Sequence, residues 1–232
     1  MLALTVWGKL ELFNRQDSAL KPTLFQRMKH PAWVFAALAC WGPAAEAYLV
    51  TITSGTRMIF LQVGTGSMGG TGRFTTGGTP QDNATVNRVS VTVPAAALGT
   101  GNQAMTSDSA VAVSPYDNFT FCSPPAQVYV GGMYRIPGAG GNANLTVSTP
   151  AGLLNAASDA IPFSTISWTS SGIGDATTTI PAGTFSGAAG QFLLSIPPSR
   201  WFESCLTFNY SNSAAYAAGT FNGRATYTLT AP

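Results

Sequence analysis

Asp117, Asp175 and Glu203 are the side chains from which this chain could build acid–base chemistry. Two carboxylates about 5 to 9.5 Å apart suffice for glycoside hydrolysis, and the surrounding composition leaves little else. Every lysine (Lys9, Lys21, Lys29) and the only histidine, His30, lie near the N-terminus. Beyond them there is no histidine to act as general base or zinc ligand, and no lysine for Schiff-base or Ser-Lys chemistry. No glycine-rich phosphate loop stands at a strand-to-helix junction. Each acid also has an ordinary use. Asp117 lies in Pro115-Tyr116-Asp117-Asn118 and Asp175 in Gly172-Ile173-Gly174-Asp175, turn-like settings in which Asp bonds its own backbone. Glu203 falls in a strand-like run, facing water or an arginine. A calcium site on Asp117 and Asn118 lacks the D-x-D-x-D-G pattern. The expectation is a non-enzyme with no catalytic, cofactor-binding or metal-ligating residue and no cofactor.

The N-terminal stretch explains why the basic residues cluster there. Met28-Lys29-His30 precedes an apolar run from Trp33 to Trp41, then Pro43 and Ala45-Glu46-Ala47. A basic head, a short apolar stretch and an A-x-A site are the parts of a secretory signal peptide. The run is too short for a transmembrane helix, which needs roughly 20 apolar residues. Residues 28–47 are therefore expected to be the leader, residues 1–27 an over-called start without structure, and residues 48–232 the mature domain. The expected location is secreted, from periplasm to cell surface.

Taking a 47-residue leader from 232 residues leaves 185, the size of one domain. That part carries six arginines (Arg57, Arg73, Arg88, Arg135, Arg200, Arg224) against six acids (Asp82, Asp108, Asp117, Asp159, Asp175, Glu203). A net charge of zero leaves no electrostatic footprint for nucleic acid. Cys122 and Cys205 remain after the leader takes Cys40, and an even pair in an exported protein reads as a disulfide.

Period-two alternation runs along the domain and predicts short strands. Val89, Val91 and Val93 share a face, as do Val128 and Val130, Leu145 and Val147, and Ile166 and Trp168. So do Phe202, Leu206, Phe208 and Tyr210. Met58-Ile59-Phe60-Leu61 is continuously apolar, the pattern of a strand in the middle of a sheet. The chain ends on Gly223–Pro232, where Ala225, Tyr227 and Leu229 alternate with Thr226, Thr228 and Thr230 and are expected to face the core. Gly/Pro/Asn clusters punctuate these runs. The fold expected is all-β: a single antiparallel β-sandwich, immunoglobulin-like or jelly-roll, with one disulfide.

With export, absent histidine, a Thr/Gly/Ala-rich composition, one disulfide and the terminal Gly223-Arg224-Ala225-Thr226-Tyr227-Thr228-Leu229, the chain resembles bacterial fimbrial subunits of the chaperone–usher kind. The resemblance implies an immunoglobulin-like sandwich whose last strand borders a groove. A periplasmic chaperone, and then the N-terminal strand of another subunit, would complete that groove by strand addition. Tyr48, Leu49 and Ile52, exposed by leader cleavage, would lie on such a donor strand. The joining of the middle of the chain to its C-terminal third through Cys122 and Cys205 departs from the family's usual early-strand disulfide. The leading expectation is thus a secreted structural or surface-assembly subunit with other protein chains as partners. The alternative is an adhesin- or lectin-like sandwich that binds a glycan or receptor through Trp201, Tyr116 and Asp117. A carboxylate glycosidase comes third.

Overall fold

The computed structural model describes residues 2–11, 58–66, 87–135, 138, 140–174 and 179–232. They belong to one unit of the chain, Met1–Phe13 with Gly55–Pro232; the other, Asn14–Ser54, lies outside them. In chain order the strands are β1 (Leu2–Glu11), β2 (Met58–Val63), β3 (Asn87–Val91), β4 (Gly101–Ala104), β5 (Thr106–Ser107), β6 (Val128–Arg135) and β7 (Ala143–Ser148). There follow β8 (Gly152–Leu154), β9 (Ala160–Pro162), β10 (Ile166–Ser171), β11 (Gly183–Thr184), β12 (Gln191–Ile196), β13 (Trp201–Asn212) and β14 (Phe221–Thr230). Two short 3-10 turns, Ala95–Ala97 and Phe163–Thr165, are the helical pieces among the described residues. No helix there is long and apolar enough to cross a membrane.

The strands form two sheets. One runs β12-β7-β14-β1-β3-β5, with β8 and β9 attached beside β14; the other runs β11-β10-β13-β6-β2, with β4 also paired to β13. All pairings are antiparallel except β1 with β14. The sheets share one core, in which Leu145, Ala225, Tyr227 and Leu229 of the first meet Ile166, Trp168, Leu206 and Phe208 of the second. Alternation is the cause. Each strand buries the residues of one face and leaves hydroxyl-rich positions on the other, as in β7, where Ala143, Leu145 and Val147 are buried and Asn144 is exposed. Between the sheets Phe185 stacks on Phe208 at 6.1 Å and meets Phe163 edge-on at 5.3 Å. Trp168 packs beside Phe185, and its indole N–H donates to the Pro181 carbonyl at 2.9 Å. A buried indole with its donor satisfied is a core residue.

Close approach explains Gly223 inside β14. A Cβ there would lie 2.6 Å from Leu153 and 2.7 Å from the Phe163 ring, so only glycine lets these side chains rest against the strand.

Two sequence expectations need correction. Residues 1–27 were expected to lack structure, yet residues 2–11 form β1, because their own alternation suits a sheet position flanked on both sides. The apolar run of β2 was expected in mid-sheet, yet β2 ends its sheet's order beside β6. Its continuous apolarity has another cause: Ile59, Leu61 and Val63 enter the main core, while Phe60 packs on the opposite face with Met133 and Trp201.

Candidate functional site

The last strand, β14, has a neighbour on each side. On one it pairs with β7, from Thr226↔Ser148 to Thr230↔Asn144. On the other it pairs in parallel with β1 along its whole length, from Leu2↔Phe221 to Glu11↔Thr230. The far edge of β1 pairs antiparallel with β3, from Leu2↔Val91 to Val6↔Asn87. β14 and β3 are thus joined only through a strand from the remote N-terminus. Register places Leu2, Leu4, Val6, Gly8 and Leu10 at the positions of Phe221, Gly223, Ala225, Tyr227 and Leu229. Four of those β14 residues are fully or almost fully buried. The backbone between β14 and β3 is an acceptor groove, and β1 fills it. The expected donor residues Tyr48, Leu49 and Ile52 lie outside the described residues.

A polar knot fixes one end of this groove. Asn87, the first residue of β3, accepts hydrogen bonds at Oδ1 from the Thr65 amide (2.7 Å) and the Thr65 hydroxyl (3.0 Å). Its Nδ2 donates to Asp108 at 3.0 Å, and the Arg88 amide donates to the same carboxylate oxygen at 2.8 Å. Thr65 directly follows β2, so the knot ties the start of β3 to the opposite sheet. Sequence reading did not single out these residues. An Asn at a strand start carries no local mark of a partner 22 positions away.

The second candidate lies on the outer face of the other sheet. Register sets Trp201 beside Met133, Glu203 beside Gly131 and Cys205 beside Tyr129. Cys205 is bonded to Cys122, with Cα atoms 5.5 Å apart, which clamps the segment before Cys122 over this face. There the structure brings together two of the three expected ligand contacts. Tyr116, half exposed at 51%, stacks on Trp201 at 5.3 Å, and Trp201 stacks on Phe60 at 5.6 Å. Asp117, the third, accepts from the Phe119 amide at 2.9 Å. That is the backbone-bonding turn its setting suggested, and it is followed by Asn118 at φ 63°.

Beneath the aromatic stack, Glu203 accepts hydrogen bonds from the Ser114 hydroxyl at 2.7 Å and the Tyr129 hydroxyl at 2.9 Å. Gly131 makes this reach feasible, since a Cβ there would overlap the Tyr129 phenol. Burial, then the Glu203 charge and the hydrogen bond to it, push the Tyr129 phenol far above its ordinary value. The phenol stays neutral and donating. Glu203 therefore spends its carboxylate holding the 114–129 region to β13. Asp175 lies outside the described residues, where no pairing with another acid is seen. Among the described residues no group of three His, Cys, Asp or Glu side chains is arranged to hold a metal.

Compared with family models, curated proteins and solved structures, the chain matches none.

Proposed function

We propose that this protein is an exported, non-enzymatic structural subunit that assembles at the cell surface by strand addition, in the manner of fimbrial subunits. One observation carries the reading: the sheet position between β14 and β3 is completed by residues 2–11, which lie upstream of the Met28–Ala47 leader. Cleavage after Ala47 would remove that strand. It would leave a ten-residue apolar groove with two unpaired backbone edges, which another chain must fill. Export, cleavage and assembly are all parts of the proposal.

The test is to prepare residues 48–232 alone and to add a synthetic peptide of residues 2–11 in trans. The proposal expects the truncated chain to self-associate or precipitate, and the peptide to convert it to a monomer. A thermally stable monomer that ignores the peptide would overturn it.

A second reading, binding of a glycan or receptor, is supported by the half-exposed Tyr116 stacked on Trp201. Aromatic faces offer apolar area with little entropy to lose. Saturable glycan binding by the full chain, abolished in Tyr116→Ala, would favour it.

A further inference from the structure

At the end of the sandwich where β14 begins, a cavity of about 300 Å³ lies between the Ala95–Ala97 turn, β9 and the loop joining β13 to β14. This is the lower end of the size range of small-molecule sites. It lies apart from both the β1–β14 seam and the Tyr116–Trp201 stack. Its lining holds no charged side chain; Leu98, Ile161 and Phe221 supply apolar wall, and Tyr210, Tyr216 and Asn212 supply the larger polar groups. Asn212 is 1% exposed. Its Nδ2 donates to the Ala97 carbonyl, but its Oδ1 is buried with no hydrogen-bond partner among the described residues. A buried acceptor without a donor is costly in a folded protein and calls for a partner.

We propose that this cavity is a binding site for a small, neutral, largely apolar ring that carries one hydrogen-bond donor, of the indole or phenol type, with its N–H or O–H given to Asn212 Oδ1. The absence of charge in the lining disfavours anions and cations, which would lose hydration without gaining a counter-charge. The walls suit a planar apolar body better than a sugar, whose many hydroxyls would outnumber the polar groups available to meet them. Recognition of a donor by a buried acceptor is selective, because an analogue lacking the donor leaves that acceptor unpaired.

The experiment titrates the full 232-residue chain with indole, 1-methylindole and glucose by calorimetry and ligand-observed NMR. Indole should bind saturably, 1-methylindole at least about 10-fold more weakly because the donor is gone, and glucose not measurably. Ala218→Trp, at an exposed lining position, should fill the cavity and abolish indole binding while leaving circular dichroism and melting temperature unchanged. Should that variant unfold, Leu98→Arg, also exposed, replaces it with the same expected loss. Absence of saturable binding by indole and phenol at millimolar concentration would overturn the proposal. Equal affinity for 1-methylindole, or indole binding retained by both folded variants, would overturn it as well.

Discussion

Tyr129 shows how one side chain can organise a surface. Its phenol lies over Gly131, donates to Glu203, and with Ser114 fixes the loop that carries Tyr116. Tyr129→Phe should therefore destabilise the chain by about 1–2 kcal/mol through the lost charge-assisted hydrogen bond, measured by urea denaturation. Tyr129 and the fully buried Tyr227 are both raised from the ordinary tyrosine value of 10.0, first by burial. The folded state thus holds these protons more tightly than the unfolded chain. Their stabilising effect is full below pH 10 and is lost as pH rises above it towards the folded values. Unfolding titrations from pH 8 to 11 should show stability falling above about pH 10, with a shallower fall in Tyr129→Phe. A flat profile would show that these phenols titrate alike in both states. Tyr227→Asp should cost far more than Tyr129→Phe, because it buries a carboxylate on the core face of β14 without a partner.

At the scale of elements, register decides what β1 is worth. A one-residue slip would put Thr5 and Trp7 at the positions of the buried β14 residues, so alternation specifies the pairing. Val6→Asp places a carboxylate at the register position of Ala225 and should cost about 2–4 kcal/mol. Thr5→Asp, at the register of the exposed Arg224, should be close to neutral. Thermal melts of the two full-length variants check this; equal effects would mean that β1 does not occupy its groove in solution. The disulfide acts on a different element. Cys122 and Cys205 are 83 positions apart, and closing so long a loop stabilises by roughly 4–5 kcal/mol in the chain-entropy account. Cys122→Ser with Cys205→Ser should lose much of that in denaturant titrations. It should also loosen the 111–122 segment, seen as faster amide exchange at Phe121.

For the whole molecule, the chain's own N-terminal strand makes the sandwich self-complete, whereas a leader cleaved after Ala47 would leave it incomplete. Intact mass of exported protein decides which form exists outside the cell: the proposal expects Tyr48 as the first residue. Retention of residues 2–11 in the exported form would turn β1 into a permanent part of the fold and remove the need for a donor from another chain.

Local pattern determined much of this protein. Alternation in Gly223–Thr230 marked Ala225, Tyr227 and Leu229 as core, and each is at most 1% exposed, because a strand's faces follow from a two-residue period that needs no knowledge of its neighbours. The apolar face shared by Ile166 and Trp168 marked the indole as core in the same way, and the even cysteine count in the mature part marked the Cys122–Cys205 bond. What the period does not carry is which strand lies beside which. That β1 parts β14 from β3, that β2 ends its sheet, and that Asn87 meets Thr65 and Asp108 depend on contacts between distant positions, made only when two sheets close on one core. The candidate sites share that origin. Tyr116 and Trp201 could each be noted as aromatic, but their stacking, the Glu203–Tyr129 hydrogen bond beneath them and the cavity around Asn212 exist only because tertiary packing brings together residues the chain keeps far apart.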